Sequence, residues 1–278
     1  MMTGAVLISA LGQHRHVAKQ SPPAPRGAGL GHALAEVKAT LSNKAFLWLV
    51  SAALFALINQ GLTFALSNYQ LAFLWQLQQM EMLYYALLLF GTVIVAFFIV
   101  PPLSARLGKK NGAILLALLS LSFNTALYAS WLLDLVPGGP SDPSVAFMFS
   151  FLIFSNSTAI GMMMLTSSMM ADVVEASQQE TGRRSEGLFF AGYFFMQKCA
   201  VGIGTFAAGM ILSFAQFPQN AVPGNVGPAV LDGLALYYMG VVAVLGITGV
   251  LILRHFPISR ESHNERLRAL NTSAESAS

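Results

Sequence analysis

Lys198 is the residue whose position most demands an explanation. It lies roughly ten residues into an apolar run that begins near Gly187. At ~1.5 Å per helical residue that depth is ~15 Å, close to the middle of a ~30 Å hydrocarbon core. Ionisable groups so deep in a membrane are costly, and they face a cavity or a partner rather than lipid. Just upstream, charge collects between two apolar runs as Asp172, Glu175, Glu180, Arg183, Arg184 and Glu186. Asp172 and Glu175 stand three apart, so a helix would present both on one side. Two acids at the C-terminal end of a helix oppose its dipole and call for cations. Arg183 and Arg184 follow within reach. An ion-pair network of Asp172, Glu175, Arg183 and Arg184 is therefore expected, against the plainer reading of a solvated loop.

Other polar residues fall inside apolar runs. Ser155, Asn156, Ser157 and Thr158 stand in succession, and Asn59 and Gln60 form a second group. They either meet a ligand or satisfy neighbouring helices. Asn156, Asn59 and Tyr193 join Lys198 as the candidate lining of a substrate or cation cavity. Gly192, Gly202, Gly204, Ala207, Ala208 and Gly209 crowd one apolar run and read as a face for close helix packing. Met162, Met163, Met164, Met169 and Met170 read as adaptable core filler.

Several chemistries lack their signatures. There is no GxxxxGK[ST] phosphate loop, no serine in a GxSxG context and no histidine at membrane depth. His14 and His16 form an HxH without a carboxylate or cysteine at ligand spacing, which argues against a metal site. Nothing argues for an enzyme. The one cysteine, Cys199, excludes an intramolecular disulfide.

The elements that must position these residues follow from composition. The 278 residues are 55% hydrophobic and 10% charged, and mean hydropathy is +0.62. Soluble domains carry about 25% charged residues, so the lipid bilayer is the expected surroundings. The apolar runs are continuous rather than alternating, which selects helices over a barrel. Six spans are expected, at about 45–69, 82–100, 112–136, 143–171, 187–217 and 231–255. Pro101-Pro102 is expected to end the second, and Pro137-Gly138-Gly139-Pro140 to close the third. The segments 13–44, 103–111, 172–186 and 254–268 are rich in Lys and Arg. Segments 70–81, 134–142 and 217–232 hold Glu81, Asp134, Asp142 and Asp232 but no Lys or Arg. That asymmetry predicts cytoplasmic termini, in a cell (inner) membrane. The basic pI reflects this topology and not a nucleic-acid partner.

Three stretches together resemble one family. The run ADVVE…ETGRRSEGLFF, with the later QK at Gln197-Lys198, resembles the loop between the tenth and eleventh helices of the glycoside–pentoside–hexuronide:cation symporters. These form the melibiose-permease-like branch of the major facilitator superfamily. PPLSARLGKKN resembles that family's short basic loop between helices eight and nine, and SNKAFLWLV the start of its seventh helix. The resemblance implies an all-α membrane fold in which this chain is the six-helix C-terminal half. It implies cation-coupled symport of a small polar solute, a sugar or glycoside, with Na⁺ or H⁺ as coupling ion and no other cofactor. Lys198 matches a lysine beside the sugar and cation sites. Asp172, Glu175 and Arg184 match charges that hold the cytoplasmic side closed, although Glu175 replaces the usual aspartate and Ala176 the aromatic that follows it. The family's cation-binding carboxylates belong to the N-terminal half, so a separate six-helix half is an implied partner. The alternative is a truncated, non-transporting fragment or a membrane subunit.

The expected organisation is thus a helix remnant and central cytoplasmic loop over 1–44, a six-helix bundle over 45–255, and a cytoplasmic tail without fixed structure over 256–278. Cysteines introduced at Asn220 and at Ser259 should be labelled from opposite sides of the membrane. Labelling of both from one side would refute the six-span topology.

Overall fold

The computed structural model describes residues 42–139, 143–181 and 186–257, and every regular element among them is helical. Helix α1 (Lys44–Tyr69) begins at Asn43, whose Oδ1 accepts a hydrogen bond from the Phe46 amide at 2.9 Å. It runs on as a π-helix over Gln70–Leu74. Helix α2 (Gln79–Leu132) opens with a capping box between Gln78 and Glu81. Helices α3 (Val145–Thr181), α4 (Glu186–Phe214) and α5 (Pro228–Leu253) follow, α5 with proline at its first turn. All five are long and apolar enough to cross a membrane. Phe64, Phe90, Phe98, Phe195 and Phe206 project from them largely exposed, as side chains bathed in lipid would.

Helix α2 corrects one expectation. It has 54 residues, which at ~1.5 Å each would extend ~80 Å if straight. It does not end at Pro101-Pro102. Both prolines lie inside the helix, and the backbone leaves helical geometry at Gly108, with φ 77° and ψ 165°. A proline removes one hydrogen bond and crowds one carbonyl, which a helix bonded on both sides survives with a bend. A positive φ turns the chain, and glycine adopts it without a Cβ penalty. The two limbs, 79–107 and 109–132, fold back on each other. A Cβ placed on Gly112 would lie 3.9 Å from Leu103 Cγ, and one on Gly161 would meet both Val100 and Leu116 at 3.0 Å. Six apolar limbs result, in agreement with the expected spans.

A second correction concerns α3. It continues past the apolar run to Thr181. Asp172 and Glu175 therefore sit well inside a helix, and the dipole argument for their needing cations loses its premise.

The helices pack as α1 on α4 and α2 on α3, with α5 against both α1 and α2. One apolar core lies around Trp75, Trp131, Tyr128, Met148, Leu234 and Tyr238, and another around Phe46, Leu49, Leu165, Met169, Phe189 and Phe256. The Tyr238 hydroxyl ties the first together. It lies 3.0 Å from Thr63 Oγ1 of α1 and accepts from Asn124 Nδ2 of α2 at 3.4 Å. In hydrocarbon such groups must find partners within the protein, so the pairings fix α5 in rotation.

The α1–α4 contact is close enough to bring backbone against backbone. A Cβ on Gly204 would collide with the Ile58 carbonyl and lie 2.6 Å from the Leu62 amide nitrogen. A Cβ on Gly61 would lie 2.7 Å from the Val201 carbonyl oxygen. Each glycine lets the opposite backbone in. Gly192 faces Phe46, whereas Cβ atoms on Gly202 and Gly209 would meet nothing. The glycine-rich run is thus a packing face, through only some of its glycines.

Gly204→Ala should lower the thermal-unfolding midpoint, because the added methyl must push backbone aside at a cost of ~1–3 kcal/mol. Gly202→Ala, two residues away, should be neutral or slightly stabilising by helix propensity. Circular dichroism melts of the two variants in detergent check this. Equal effects would contradict the crossing.

Candidate functional site

Lys198 is exposed on α4. The buried face of α4 carries Phe189, Ala200, Gly204, Ala208 and Ile211, and a residue two positions before Ala200 is turned ~200° away from it. Lys198 therefore points away from Ala200, while Val201 and Gly204, which meet α1, lie ~60° and ~120° around the helix from it. Among the described residues it has no hydrogen-bond or ion-pair partner. Tyr193 is half-buried and packs beside a small cluster of Ala53, Leu57, Ile58 and Ala200 at the α1–α4 seam. Asn59, the next residue along α1, is half-buried too, and its Oδ1 is fully enclosed without a hydrogen-bond partner. Its neighbour Gln60 donates a weak bond to Met163 Sδ on α3 at 3.6 Å. Asn156 is half-buried on α3. Asn59 and Tyr193 are thus carried by the same tight helix pair, and among the described residues no hydrogen bond joins either of them to Lys198 or Asn156.

The serine and threonine run on α3 divides. Ser155 and Ser120 exchange reciprocal side-chain to carbonyl hydrogen bonds of 3.0 and 3.2 Å across the α2–α3 interface. Thr158 bonds back to the carbonyls of Phe154 and Ser155. These two are structural. Ser157 Oγ is buried without a partner.

Among the described residues the charge cluster has a partner that the sequence reading did not name. Lys109 Nζ donates to both carboxylate oxygens of Asp172, at 2.6 and 2.7 Å. The adjacent Lys110 Nζ donates to the Phe256 carbonyl at 2.7 Å. The Gly108 turn thus reaches α3 with one lysine and the end of α5 with the next. Glu175 is exposed. Arg183 and Arg184 lie outside the described residues. In the sequence Lys109 and Lys110 stand out only as topology signals. The clue that could have placed Lys109 is that Asp172 is the first acid after the fourth apolar run, level with the basic turn between the second and third. At the opposite end, Trp131 Nε1 donates to Asp232 at 3.2 Å and joins α2 to α5.

A multi-pass helical bundle with paired helices, a lysine on an exposed helix face without a partner among the described residues, and an ion pair at one end is compatible with a membrane carrier. The family described as MFS/sugar transport protein matches residues 1–260, and the chain belongs to that family. It is 27% identical over 236 residues to a protein of Synechocystis sp. named an uncharacterized symporter, covering 84% of this chain and 41% of that one. It is 29% identical over 160 residues to a protein of Salmonella typhimurium named as a candidate 2,3-dihydroxypropane-1-sulfonate exporter, covering 56% of this chain and 32% of the relative. A protein of Escherichia coli with the same name is 28% identical over 163 residues, covering 58% and 32%. The chain spans less than half the length of these relatives.

The Lys109–Asp172 pair should carry measurable stability. With the two side chains 37% and 16% exposed, it lies between a surface pair and a buried one. A double-mutant cycle with Lys109→Ala and Asp172→Ala should give a coupling energy of ~1–2 kcal/mol. Lys110→Ala with Asp172→Ala should be additive. The reverse pattern would move the partner to Lys110.

Proposed function

We propose that this chain forms one wall of a secondary transporter for a small polar solute, a sugar or glycoside, moved by symport with Na⁺ or H⁺. In this reading the bundle is the C-terminal half of an alternating-access carrier, with both termini in the cytoplasm. Two six-helix halves rock around a site near the midplane of the membrane. The observation that carries it is Lys198, exposed at mid-span on a helix of a sugar-transport family member. A side chain of this kind at that depth calls for a counter-charge or for water. A carboxylate or a watered cavity supplied by an N-terminal half meets that need. Asn59, Tyr193 and Asn156 contribute neutral hydrogen-bonding groups to the same cavity. The Lys109–Asp172 pair, extended by Glu175, Arg183 and Arg184, biases the cytoplasmic side toward closure.

The second reading is a membrane subunit or non-transporting fragment, favoured by one fact: the chain covers 41% of its symporter relative. Uptake of a labelled glycoside into vesicles under an imposed Na⁺ or H⁺ gradient separates the two. Gradient-driven uptake is expected when an N-terminal half is co-expressed, and Lys198→Met should reduce it to background while leaving membrane insertion intact. Undiminished coupled uptake by the Met variant would sink the role of Lys198. Failure of the combined halves to transport would favour the subunit reading.

A further inference from the structure

A cavity of about 540 Å³ opens where the C-terminal ends of α1 and α4 meet, lined by Tyr69, Phe73, Ser213, Gln216, Phe217 and Gln219 among others. This is the end of the bundle away from the Lys109–Asp172 pair. Its size is within the range of small-molecule sites, and no charged residue lines it. Tyr69 and Phe73 stack with planes 21° apart, and Phe217 stands edge-on to both, 5.4 and 4.9 Å away. Aromatic faces beside two primary amides and a hydroxyl suit one kind of ligand. The C–H face of a saturated ring packs on the aromatics, while its hydroxyls exchange hydrogen bonds with groups that both donate and accept.

The backbone around the cavity is held in uncommon geometry. α1 ends in a π-helix beginning one residue after Tyr69, and such turns recur at functional sites. α4 ends with Phe217 N bonding the Leu212 carbonyl at 2.9 Å and Gln216 N bonding the Ser213 carbonyl at 3.0 Å. That cap places Gln216 in the left-handed region, φ 54°, where glycine is the usual residue. Glycine would relieve the strain but remove an amide from the cavity wall. The same geometry follows helix ends at Gln76 and Asp134, so what distinguishes Gln216 is its amide on the cavity wall.

We propose that this cavity binds a neutral pyranoside, as a subsite separate from the Lys198 face. The choice of solute rests on the sugar-transport reading; the location does not. The test uses the full chain in lipid nanodiscs, with Ala221→Cys, on the cavity wall, introduced in a Cys199→Ser background. Alkylation of the introduced thiol by N-ethylmaleimide is followed by mass spectrometry with and without methyl β-D-glucopyranoside. The pyranoside should slow alkylation severalfold, and D-glucuronate should protect less, since no cation faces its carboxylate. Protection should be lost with Phe217→Leu, retained with Phe217→Tyr, weakened with Gln216→Gly despite a higher melting point, and unaffected by Lys198→Met. Absence of protection, equal protection by glucuronate, its survival in Phe217→Leu, or its loss in Lys198→Met would each overturn the subsite. If protection holds while no gradient-driven uptake is found, the subsite stands and the transport reading falls. If uptake is found without protection, the transport reading stands and the subsite falls.

Discussion

Where α1 and α4 cross, glycine faces backbone on both sides, and this contact governs what each helix can present elsewhere. Between helices in lipid there is little hydrophobic driving force, so stability depends on dispersion at close approach and on internal hydrogen bonds. Gly61 and Gly204 let the two backbones approach until a single methyl group would collide with peptide atoms. Such a crossing tolerates little sliding or rotation. It fixes Lys198 on the outward side of α4 and sets Asn59 and Tyr193 at the seam. Their placement follows from an interface made without their side chains.

The two ends of the bundle are fastened by different means. At one, the Gly108 turn sends Lys109 to Asp172 and Lys110 to the Phe256 carbonyl, joining α2, α3 and α5 by charge-assisted bonds. Such bonds sit where water can exchange with them, and they tie three segments of the one bundle together. At the other, aromatic packing of Trp75 on Trp131 and the Trp131–Asp232 hydrogen bond hold the helices. The Tyr238 hydroxyl, between Thr63 and Asn124, links α5 to both its neighbours within two turns of the second fastening. Together they describe a bundle suited to move as one body.

Much of this is legible in the sequence, for definite reasons. Continuous apolar runs mark the spans, since a polar backbone in hydrocarbon leaves helices as the solution. The glycine-rich stretch of α4 is recognisable as a packing face, but which glycines matter depends on the register against α1. Gly61, alone among larger residues, offers no pattern. Pro101-Pro102 attracts the turn in α2 on paper because proline is the stronger helix breaker in water. The decisive property is a positive φ at Gly108, which no local pattern announces. Lys109 does not stand out as the partner of Asp172, because its position on the folded-back limb is set by that same turn. The ring cluster of Tyr69, Phe73 and Phe217 joins residues far apart in the chain, and only the close approach of α1 and α4 unites them.

If the outward side of α4 lines a cavity that opens alternately to the two sides of the membrane, the native thiol beside Lys198 reports it. Cys199 is the chain's one cysteine and is exposed. Its alkylation by a membrane-impermeant maleimide can be timed in right-side-out and inside-out vesicles carrying the chain together with a co-expressed six-helix N-terminal half. Reactivity from both sides is expected, redistributed between them by glycoside and coupling ion. A thiol that reacts from neither side, or from one side alone whatever the solute, would contradict it.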